Sequence, residues 1–294
     1  SEHVLTGSAI ADDYTHDEAL TLTPARPDVL VRPESAAQIA AILQLANAQR
    51  VPVTARGSGT GLSGACVAKR GGILISFERM RSVIEIDTAN QVAVVQPGVT
   101  LAQLEEATQP YNLMYPIHPG ESSGSLGGNV ATNAGGMQAI KYGVTRNNVL
   151  GLSLVLASGE IMQTGGKLLK ISSGLDLTQL VIGSEGTLAI TTEIIVRLRP
   201  RCVNRTTLLL PFENLDLVMG AIPHIVASGV DPLVLEYIDV LTMAAVTQLA
   251  GIDLGVPQAI RDKALAYLVV VLEGRTPERV SLDVEETGSR AIEL

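Results

Sequence analysis

The stretch Val51–Val67, VPVTARGSGTGLSGACV, decides which folds this 294-residue chain can adopt. Its glycines Gly59, Gly61 and Gly64 have the spacing G-x-G-x-x-G, which is typical of a Rossmann dinucleotide-binding turn. That turn needs a strand before it, an amphipathic helix that begins within it, and an acidic residue about 20 positions later. Only the strand VPVTAR is present, because ACVAKRGG after Gly64 leads directly into a second strand. An NAD-dependent Rossmann enzyme is therefore only a weak alternative.

The same glycines can serve another purpose. Closely spaced glycines adopt positive φ angles and can point successive backbone N–H groups at an anion, without any helix. The hydroxyl groups of Ser58, Thr60 and Ser63 would add donors. A flexible loop without a ligand is the alternative explanation of this stretch taken alone.

Two further stretches favour a ligand. HPGESSGSLGGNVATNAGG (His118–Gly136) and IGSEGTLAI (Ile182–Ile190) again combine glycine with Ser, Thr or Asn. Each lies next to a predicted strand. Three such loops predict one elongated polar ligand that is held mostly by backbone, and a flavin dinucleotide fits this description.

The first half of the chain alternates short strands and helices after a polar, irregular beginning that extends to about Asp28. Ser35 is a good N-cap for a helix over Ala36–Arg50, where apolar residues recur at helical spacing. With the strands DVLVRP, VPVTAR and GGILISF, this helix forms a β-α-β unit, and the glycine stretch lies between its last two strands.

A largely antiparallel region is predicted next. VIEID and QVAVVQPG form a hairpin, and Thr100 caps a helix to about Thr108. No regular element is predicted between Gly120 and Gly136. Downstream, the sequence predicts two strands within VLGLSLVLASGEIMQT, a short helix at DLTQLVIG and a long strand at GTLAITTEIIVRLRP.

Composition changes after Arg205, so we predict a boundary between residues 1–204 and residues 205–294. The second part contains the strand TTLLLPF, the helix NLDLVMGAIPHIVASG, the strand PLVLEYID, a helix over Val240–Leu249 and the strand ALAYLVVVLEG. This order predicts a second α/β unit.

Composition also excludes some classes of protein. The formal charge is −9, whereas nucleic-acid binding needs clustered Lys and Arg. Cys66 and Cys202 are too few for a disulfide framework, and the four histidines have no metal-binding spacing, so we predict no metal site. No signal peptide or transmembrane run is visible. We expect a cytoplasmic protein.

Four ordered motifs carry a resemblance to a known family: PVTARGSGTGLSG, SLGGNVATNAGG, KYGVTRNNVLGLSLVLASGEI and GSEGTLAITTEIIVRLRP. They resemble the FAD-binding domain of the vanillyl-alcohol-oxidase/para-cresol-methylhydroxylase (PCMH) superfamily. Within it, the chain is most similar to the FAD-linked D-2-hydroxyacid dehydrogenases, which comprise the glycolate oxidase D subunit, D-lactate dehydrogenase and D-2-hydroxyglutarate dehydrogenase. The resemblance covers Pro24–Arg201 and extends more faintly to Gly274.

The resemblance implies an α+β fold: a two-subdomain PCMH-type FAD-binding domain, followed by part of an α/β, ferredoxin-like substrate cap domain. It also implies a set of cofactor-binding residues. The pyrophosphate would lie on Arg56–Leu62, the ribityl chain and isoalloxazine beside the second glycine cluster, and the adenosine end at Glu185. The full set is Pro52, Arg56, Gly57, Ser58, Gly59, Thr60, Gly61, Leu62, Pro119, Gly120, Ser123, Gly127, Gly128, Asn129, Thr132, Gly135, Gly136, Tyr142, Gly143, Glu185, Gly186 and Ile190.

Some superfamily members bond flavin covalently to a histidine in the first loop. The corresponding residues here are Gly57, Ser58, Gly59 and Thr60, so we predict non-covalent FAD. His118 is a weaker candidate for a flavin or substrate contact. Lys141 and Arg146 are expected to be surface charges, and Cys66 is expected to be unreactive.

The implied reaction is oxidation of a small D-2-hydroxyacid, with electrons leaving for a separate acceptor or partner subunit. Full-length relatives are longer, and the resemblance places their metal-binding histidines and catalytic histidine beyond Leu294. The catalytic base is therefore unassigned. The alternative is a flavin-binding subunit or C-terminally truncated fragment that is inactive alone. A homodimer is suggested only by analogy.

Overall fold

The computed structural model describes residues 3–292, and the chain packs as two units. The first unit contains residues up to Gly136 together with Gly143–Pro200, and the second contains Met137–Tyr142 together with the residues from Arg201 onward. The functional division predicted between residues 204 and 205 stays a prediction. The inclusion of Met137–Tyr142 in the second unit had no signal in the sequence.

The elements follow one another in the order that their numbers give. The strands are β1 (Val4–Thr6), β2 (Val29–Val31), β3 (Val53–Arg56), β4 (Ile73–Ser76), β5 (Val83–Asp87), β6 (Val92–Val95), β7 (Leu113–Met114), β8 (Val149–Leu156), β9 (Ile161–Gly165), β10 (Ala189–Arg197), β11 (Arg199–Pro200), β12 (Asn204–Phe212), β13 (Val234–Asp239) and β14 (Ala266–Gly274). The α-helices are α1 (Ala36–Gln49), α2 (Leu101–Thr108), α3 (Leu126–Thr132), α4 (Ala139–Tyr142), α5 (Thr145–Asn148), α6 (Leu177–Val181), α7 (Leu215–Ala227), α8 (Val240–Ala250), α9 (Gln258–Arg261) and α10 (Pro277–Ile292). Short 3-10 turns occupy Gly7–Ala9, Asp12–Thr15 and Gln109–Tyr111.

The first sheet has the order β1-β2-β4-β3, and its last three strands are parallel. Helix α1 connects β2 to β3, and the Ser35 hydroxyl caps it by accepting from the Gln38 N–H at 3.3 Å. Ile39 and Leu43 on α1 pack against Ile75 of β4 in one buried cluster. The predicted β-α-β unit is confirmed.

The N-terminal segment was expected to be irregular, and this is wrong for β1. Val4, Leu5 and Thr6 pair antiparallel with β2. Three residues are too few to produce a recognisable alternation of apolar and polar side chains, so only the tertiary pairing defines this strand.

A five-stranded antiparallel sheet of order β5-β6-β10-β8-β9 completes the first unit. Strand β10 buries alternate residues, whereas β8 buries residues on both faces, and Leu154 and Ile194 are inaccessible to solvent. Leu104 of α2 and Val130 of α3 pack in the same core. The predicted hairpin, the helix that begins after Thr100 and the long strand β10 are all confirmed.

Helix α3 was not predicted. Its sequence, LGGNVAT, contains two glycines and a threonine, which are weak helix formers. The Ser125 hydroxyl caps it by accepting from the Gly128 N–H at 3.2 Å. Gly127 packs so closely on Pro97 that a Cβ there would lie 2.6 Å from the Pro97 Cβ. Capping and close packing therefore override the low helix propensity.

The second unit is built on the antiparallel sheet β12-β14-β13. Helices α7 and α10 supply Val218, Ile225 and Val280 to the core on one face of this sheet, which includes Leu268 and Val270. The elements follow the order β12-α7-β13-α8-α9-β14-α10. Apart from α8 and α9, this is the β-α-β-β-α order of a partial ferredoxin-like unit, with the third strand between the first two. The predicted elements of this unit are confirmed, whereas α9 and α10 were missed.

One buried carboxylate holds Met137–Tyr142 within the second unit. The Glu273 side chain on β14 is inaccessible to solvent, and it accepts from the Tyr142 hydroxyl at 2.5 Å. Arg205 Nη2 on β12 lies 3.1 Å from Glu273 Oε2, and Lys141 Nζ lies 3.5 Å from Oε1. Lys141 is thus an ion-pair partner and not the free surface charge that the sequence suggested.

Replacing Glu273 should destabilise the second unit. We expect Glu273→Gln to lower the free energy of unfolding by about 2 kcal/mol, less than the loss for breaking a fully buried ion pair because Arg205 is partly exposed. Urea titration followed by circular dichroism measures this change.

The matched control is Glu286→Gln, which removes an exposed ion pair with Arg290 four residues later on α10. This substitution should lower the free energy of unfolding by less than about 0.5 kcal/mol. Equal losses in the two variants would show that the buried network contributes no more than a surface pair.

Candidate cofactor-binding cleft

The first unit contains a cleft of about 420 Å³. Three segments line it: the glycine loop, defined here as Gly57–Ser63, the residues around α3, and the segment that leads into β10. All of its lining residues belong to the first unit. The cleft therefore joins the three stretches that the sequence singled out.

The glycine loop begins where β3 ends and lies against the cap of α3. The Ser58 N–H donates to the Ser125 hydroxyl at 3.3 Å, and the Ser58 hydroxyl donates to the Ser123 carbonyl at 2.6 Å. A Cβ on Gly57 would lie 2.0 Å from Ser125 Oγ. The absence of a side chain at Gly57 is what permits this approach.

The free backbone N–H groups of the cleft are in the glycine loop and not at the start of α3. Across residues 3–292, no protein acceptor lies within hydrogen-bond distance of the N–H groups of residues 59–62. By contrast, Leu126 and Gly127 donate to the Val99 and Pro97 carbonyls at 2.8 Å. Four consecutive free N–H groups form a cradle suited to a phosphate group.

Among the described residues, the charged side chains that line the cleft are all carboxylates. Asp17, Glu121 and Glu185 contribute to its lining, which contains no lysine or arginine. The cleft therefore has no cation to offer an anionic ligand, and backbone N–H groups must supply the attraction.

Arg56 does not fit the predicted phosphate contact. Its side chain is buried and donates to the His16 and Asp13 carbonyls, each at 2.6 Å, and it does not line the cleft. Gly59, at φ +79°, passes directly over the guanidinium, because a Cβ there would lie 2.1 Å from Nη2. Arg56 holds the N-terminal segment, which the sequence gave no reason to expect.

Most of the other predicted residues lie at the cleft, although their contact with a cofactor stays a prediction. Those that line it are Gly57, Ser58, Gly59, Thr60, Gly61, Leu62, Pro119, Gly127, Gly128, Asn129, Thr132, Glu185, Gly186 and Ile190. Those that do not are Pro52, Arg56, Gly120, Ser123, Gly135, Gly136, Tyr142 and Gly143.

The structure shows what several of the residues outside the lining contact instead. Tyr142 is hydrogen-bonded to Glu273 within the second unit. Gly136 packs on the peptide of His118, where a Cβ would lie 1.9 Å from the carbonyl oxygen. Ser123 contributes its carbonyl to Ser58 and so supports the loop from behind. His118 is exposed, accepts from the Gly120 N–H through Nδ1 and does not line the cleft.

Sequence analysis missed several lining residues, among them Asp17, Cys66, Pro97 and Ser125. Ser125 had a signal, since a serine three residues before Gly128 is a possible N-cap. Asp17 had none, because the segment that carries it has no periodic pattern.

The donor set of the cleft fits FAD. Asn129 is buried at 6% exposure, and no acceptor partners its Nδ2 among the described residues. This amide, the free loop N–H groups and the Thr60 and Ser63 hydroxyls match the pyrophosphate and ribityl oxygens of a flavin dinucleotide. A second cavity of about 290 Å³, lined largely by aliphatic side chains, adjoins the cleft at Glu185, Gly186 and Ile190. Together the two cavities suit an elongated ligand.

Neither a metal-binding cluster nor a membrane-spanning helix is found within residues 3–292. The histidine, cysteine and acidic residues there nowhere gather in threes as a metal ion would require. The same part of the chain has no helix with the length and apolar character needed to cross a membrane.

The Cys66 thiol should react slowly. Burial raises its pKa, and the nearby Arg56 guanidinium offsets only part of this effect, so the thiolate fraction at pH 8 is low. In a Cys202→Ser variant, we expect alkylation of Cys66 by iodoacetamide at pH 8 to be at least about tenfold slower than that of an exposed thiol. The rate should rise as the pH is increased above 9. A rate at pH 8 equal to that of glutathione would contradict this expectation.

Comparison with known protein families matches two domain models to this chain. An FAD-binding domain matches residues 27–165, and the C-terminal domain of FAD-linked oxidases matches residues 203–293. Together the two models cover most of the chain.

Similar proteins occur in several bacteria. An uncharacterised FAD-linked oxidoreductase of Mycobacterium tuberculosis is 54% identical over 292 residues, which are 99% of this chain and 64% of that protein. A D-lactate dehydrogenase of Anaerostipes hadrus is 36% identical over 99% of this chain and 62% of its own length. The glycolate oxidase subunit GlcD of Bacillus subtilis is 39% identical over 93% of this chain and 57% of its own length. The chain thus spans less than two thirds of each of these relatives.

A solved structure supports the fold. An alkyldihydroxyacetonephosphate synthase superposes with a TM-score of 0.80 at 21% identity, over 99% of this chain and 57% of that one. The predicted fold class is confirmed by this likeness and by the two matched domains. The chain belongs to the FAD-linked oxidase family, and its cofactor is FAD.

Proposed function

We propose that the protein oxidises a D-2-hydroxyacid of the glycolate, D-lactate or D-2-hydroxyglutarate class to the 2-oxoacid, with non-covalently bound FAD. The observation that supports the flavin part is the glycine loop, which lines the cleft and whose N–H groups at residues 59–62 have no partner among the described residues. The substrate class rests on the relatives that act on lactate and glycolate according to their names.

In this proposal, the chain binds the cofactor through backbone and small polar groups. The N–H groups of residues 59–62 would hold the pyrophosphate, and Asn129 Nδ2 would donate to an oxygen of the chain between phosphate and ring. Pro97 and Ile190 would shield the ligand from water. When bound, FAD supplies a two-electron acceptor for the hydride on C2 of the hydroxyacid.

The side chains of the cleft support non-covalent binding. Gly57, Ser58, Gly59 and Thr60 offer no histidine, cysteine or tyrosine. The thiol of the lining, Cys66, is held protonated by its burial. We therefore expect acid precipitation to release FAD into the supernatant.

The second candidate is a flavin-binding subunit that is inactive alone. It is favoured by the cleft lining, which among the described residues offers only the carboxylates of Asp17, Glu121 and Glu185 as general bases, and these would repel the carboxylate of the substrate. In this case a partner subunit would complete the site and receive the electrons. A cytoplasmic location, which rests on the cysteine content, and a homodimer, which rests on analogy, stay proposals.

The absorption spectrum of the purified protein separates the two candidates. We expect flavin bands that bleach on anaerobic addition of one among D-lactate, glycolate and D-2-hydroxyglutarate, with L-lactate and L-2-hydroxyglutarate as controls for the two chiral substrates. Bands that persist with every D-hydroxyacid would favour the flavin-binding subunit. If the folded protein remains colourless after incubation with FAD, both candidates fail.

The approach of the glycine loop to Ser125 can be tested through FAD affinity. Gly57→Ala should raise the dissociation constant for FAD at least about tenfold, because the new Cβ would displace Ser125 and the loop that it holds. Flavin fluorescence quenching measures the constant.

Gly166→Ala is the matched control, since a Cβ at Gly166 meets no atom within 4 Å. It should leave FAD affinity unchanged. An unchanged affinity in Gly57→Ala would show that the cleft does not depend on this contact.

A further inference from the structure

An N-terminal segment, Asp13–Glu18, runs along the glycine loop, and we call it the strap. We propose that the strap fixes the glycine loop in the shape that receives the cofactor, with Asp17 and Arg56 as positioning residues. This inference rests on the proposed binding of FAD in the cleft. It concerns a segment that lies outside both matched domains.

Arg56 ties the start of the loop to the strap. It is the last residue of β3, and its two terminal nitrogens donate to the Asp13 and His16 carbonyls at 2.6 Å each. Its guanidinium also lies 5.8 Å from the centre of the Tyr14 ring. Because the side chain is only 7% exposed, these bonds are shielded from water and hold the strap at a fixed position.

Asp17 ties the end of the loop to the strap. Its Oδ2 accepts from the Gly64 N–H at 2.7 Å, and the neighbouring Glu18 N–H donates to the Gly61 carbonyl at 2.9 Å. The other carboxylate oxygen accepts from the Ala19 N–H at 3.1 Å, so Asp17 is itself held in place. The loop is therefore held at Gly61 and at the residues on either side of it, Arg56 and Gly64.

The position of Asp17 argues for an effect through the loop. Its carboxylate lines a cleft that would receive a pyrophosphate, and like charges repel. Direct contact of Asp17 with the cofactor would therefore weaken binding. Asp17 would instead favour binding by fixing the Gly64 N–H. This bond holds the end of the loop, and the free N–H groups of residues 59–62 lie between Arg56 and Gly64.

The test compares two aspartates that make the same bond. Asp28 Oδ2 accepts from the Gly72 N–H at 2.7 Å, outside the cleft, just as Asp17 accepts from Gly64. Asp17→Asn replaces the charged acceptor of the Gly64 N–H by a neutral amide oxygen, which weakens the bond. We expect the loosened loop to outweigh the removal of a like charge from the cleft and to raise the dissociation constant for FAD roughly 10-fold. Asp28→Asn should leave FAD affinity unchanged. Fluorescence titration of the full chain measures both.

Hydrogen exchange of the apo-proteins gives a readout that general destabilisation would not reproduce. Asp17→Asn should speed exchange of the hydrogen-bonded Glu18, Ser58 and Gly64 amides and spare the Gly72 amide, whereas Asp28→Asn should do the opposite. If Asp17→Asn does not fold, Arg56→Lys serves in its place, because a lysine cannot make both carbonyl bonds.

The outcomes for the strap and for FAD binding itself can be distinguished. If Asp17→Asn binds FAD as tightly as the wild type, or if Asp28→Asn weakens binding equally, the strap does not position the loop. If Asp17→Asn fails to fold, normal FAD affinity in Arg56→Lys overturns the inference. Failure of the folded wild type to bind FAD would instead remove the proposed function.

Discussion

The hydroxyl of Ser125 is the point on which the cleft depends. It accepts from the Gly128 N–H and so begins α3, and it also accepts from the Ser58 N–H and so holds the glycine loop. One oxygen thus fixes both walls of the cleft, and the missing side chain of Gly57 makes room for it. The first two glycine stretches of the sequence are therefore a single structural feature. At Gly57 and Gly59 the missing side chain permits close packing, and this matters as much as the wider range of φ angles that glycine can adopt.

Backbone recognition explains how an acidic protein can bind an acidic cofactor. The chain has a formal charge of −9, and the charged side chains that line the cleft are all carboxylates. Free N–H groups attract phosphate through partial charges and need no counter-ion in the unbound protein. The helix that lines the cleft cannot take this role, because Ser125 and the Pro97 and Val99 carbonyls already accept from its first N–H groups. A Rossmann site works in the opposite way, since there the helix N-terminus binds the phosphates.

Sequence analysis predicted the fold well wherever elements are long or have strong caps. Helix α1 with Ser35, helix α2 with Thr100, and the long strands β8 and β10 all form as expected. It failed for α3, where tertiary contacts override two glycines, and for β1, which is too short for a pattern. Three separate glycine stretches predicted the cleft, because the need for a close approach is visible in composition alone.

Two of the predicted site residues lie outside the cleft lining for a different reason. Arg56 stands beside glycines, which suggested a phosphate ligand, but in the structure its partners are the Asp13 and His16 carbonyls. Main-chain groups leave no mark on a sequence, and so neither this contact nor that of Asp17 with the Gly64 N–H could be predicted. The contact of Tyr142 with Glu273 could not be predicted because the two residues are 131 positions apart.

Binding of the cofactor and binding of the substrate require different chemical groups. FAD can be held by N–H groups, but a 2-hydroxyacid carries a compact carboxylate that enzymes commonly bind with an arginine or a metal ion. The cleft lining offers neither an arginine nor a lysine. If the proposed substrate class is correct, the cation that binds its carboxylate must come from outside this lining. Cofactor binding and substrate selection would then depend on different parts of the protein. A variant of the glycine loop should therefore change FAD affinity without changing which hydroxyacid is preferred.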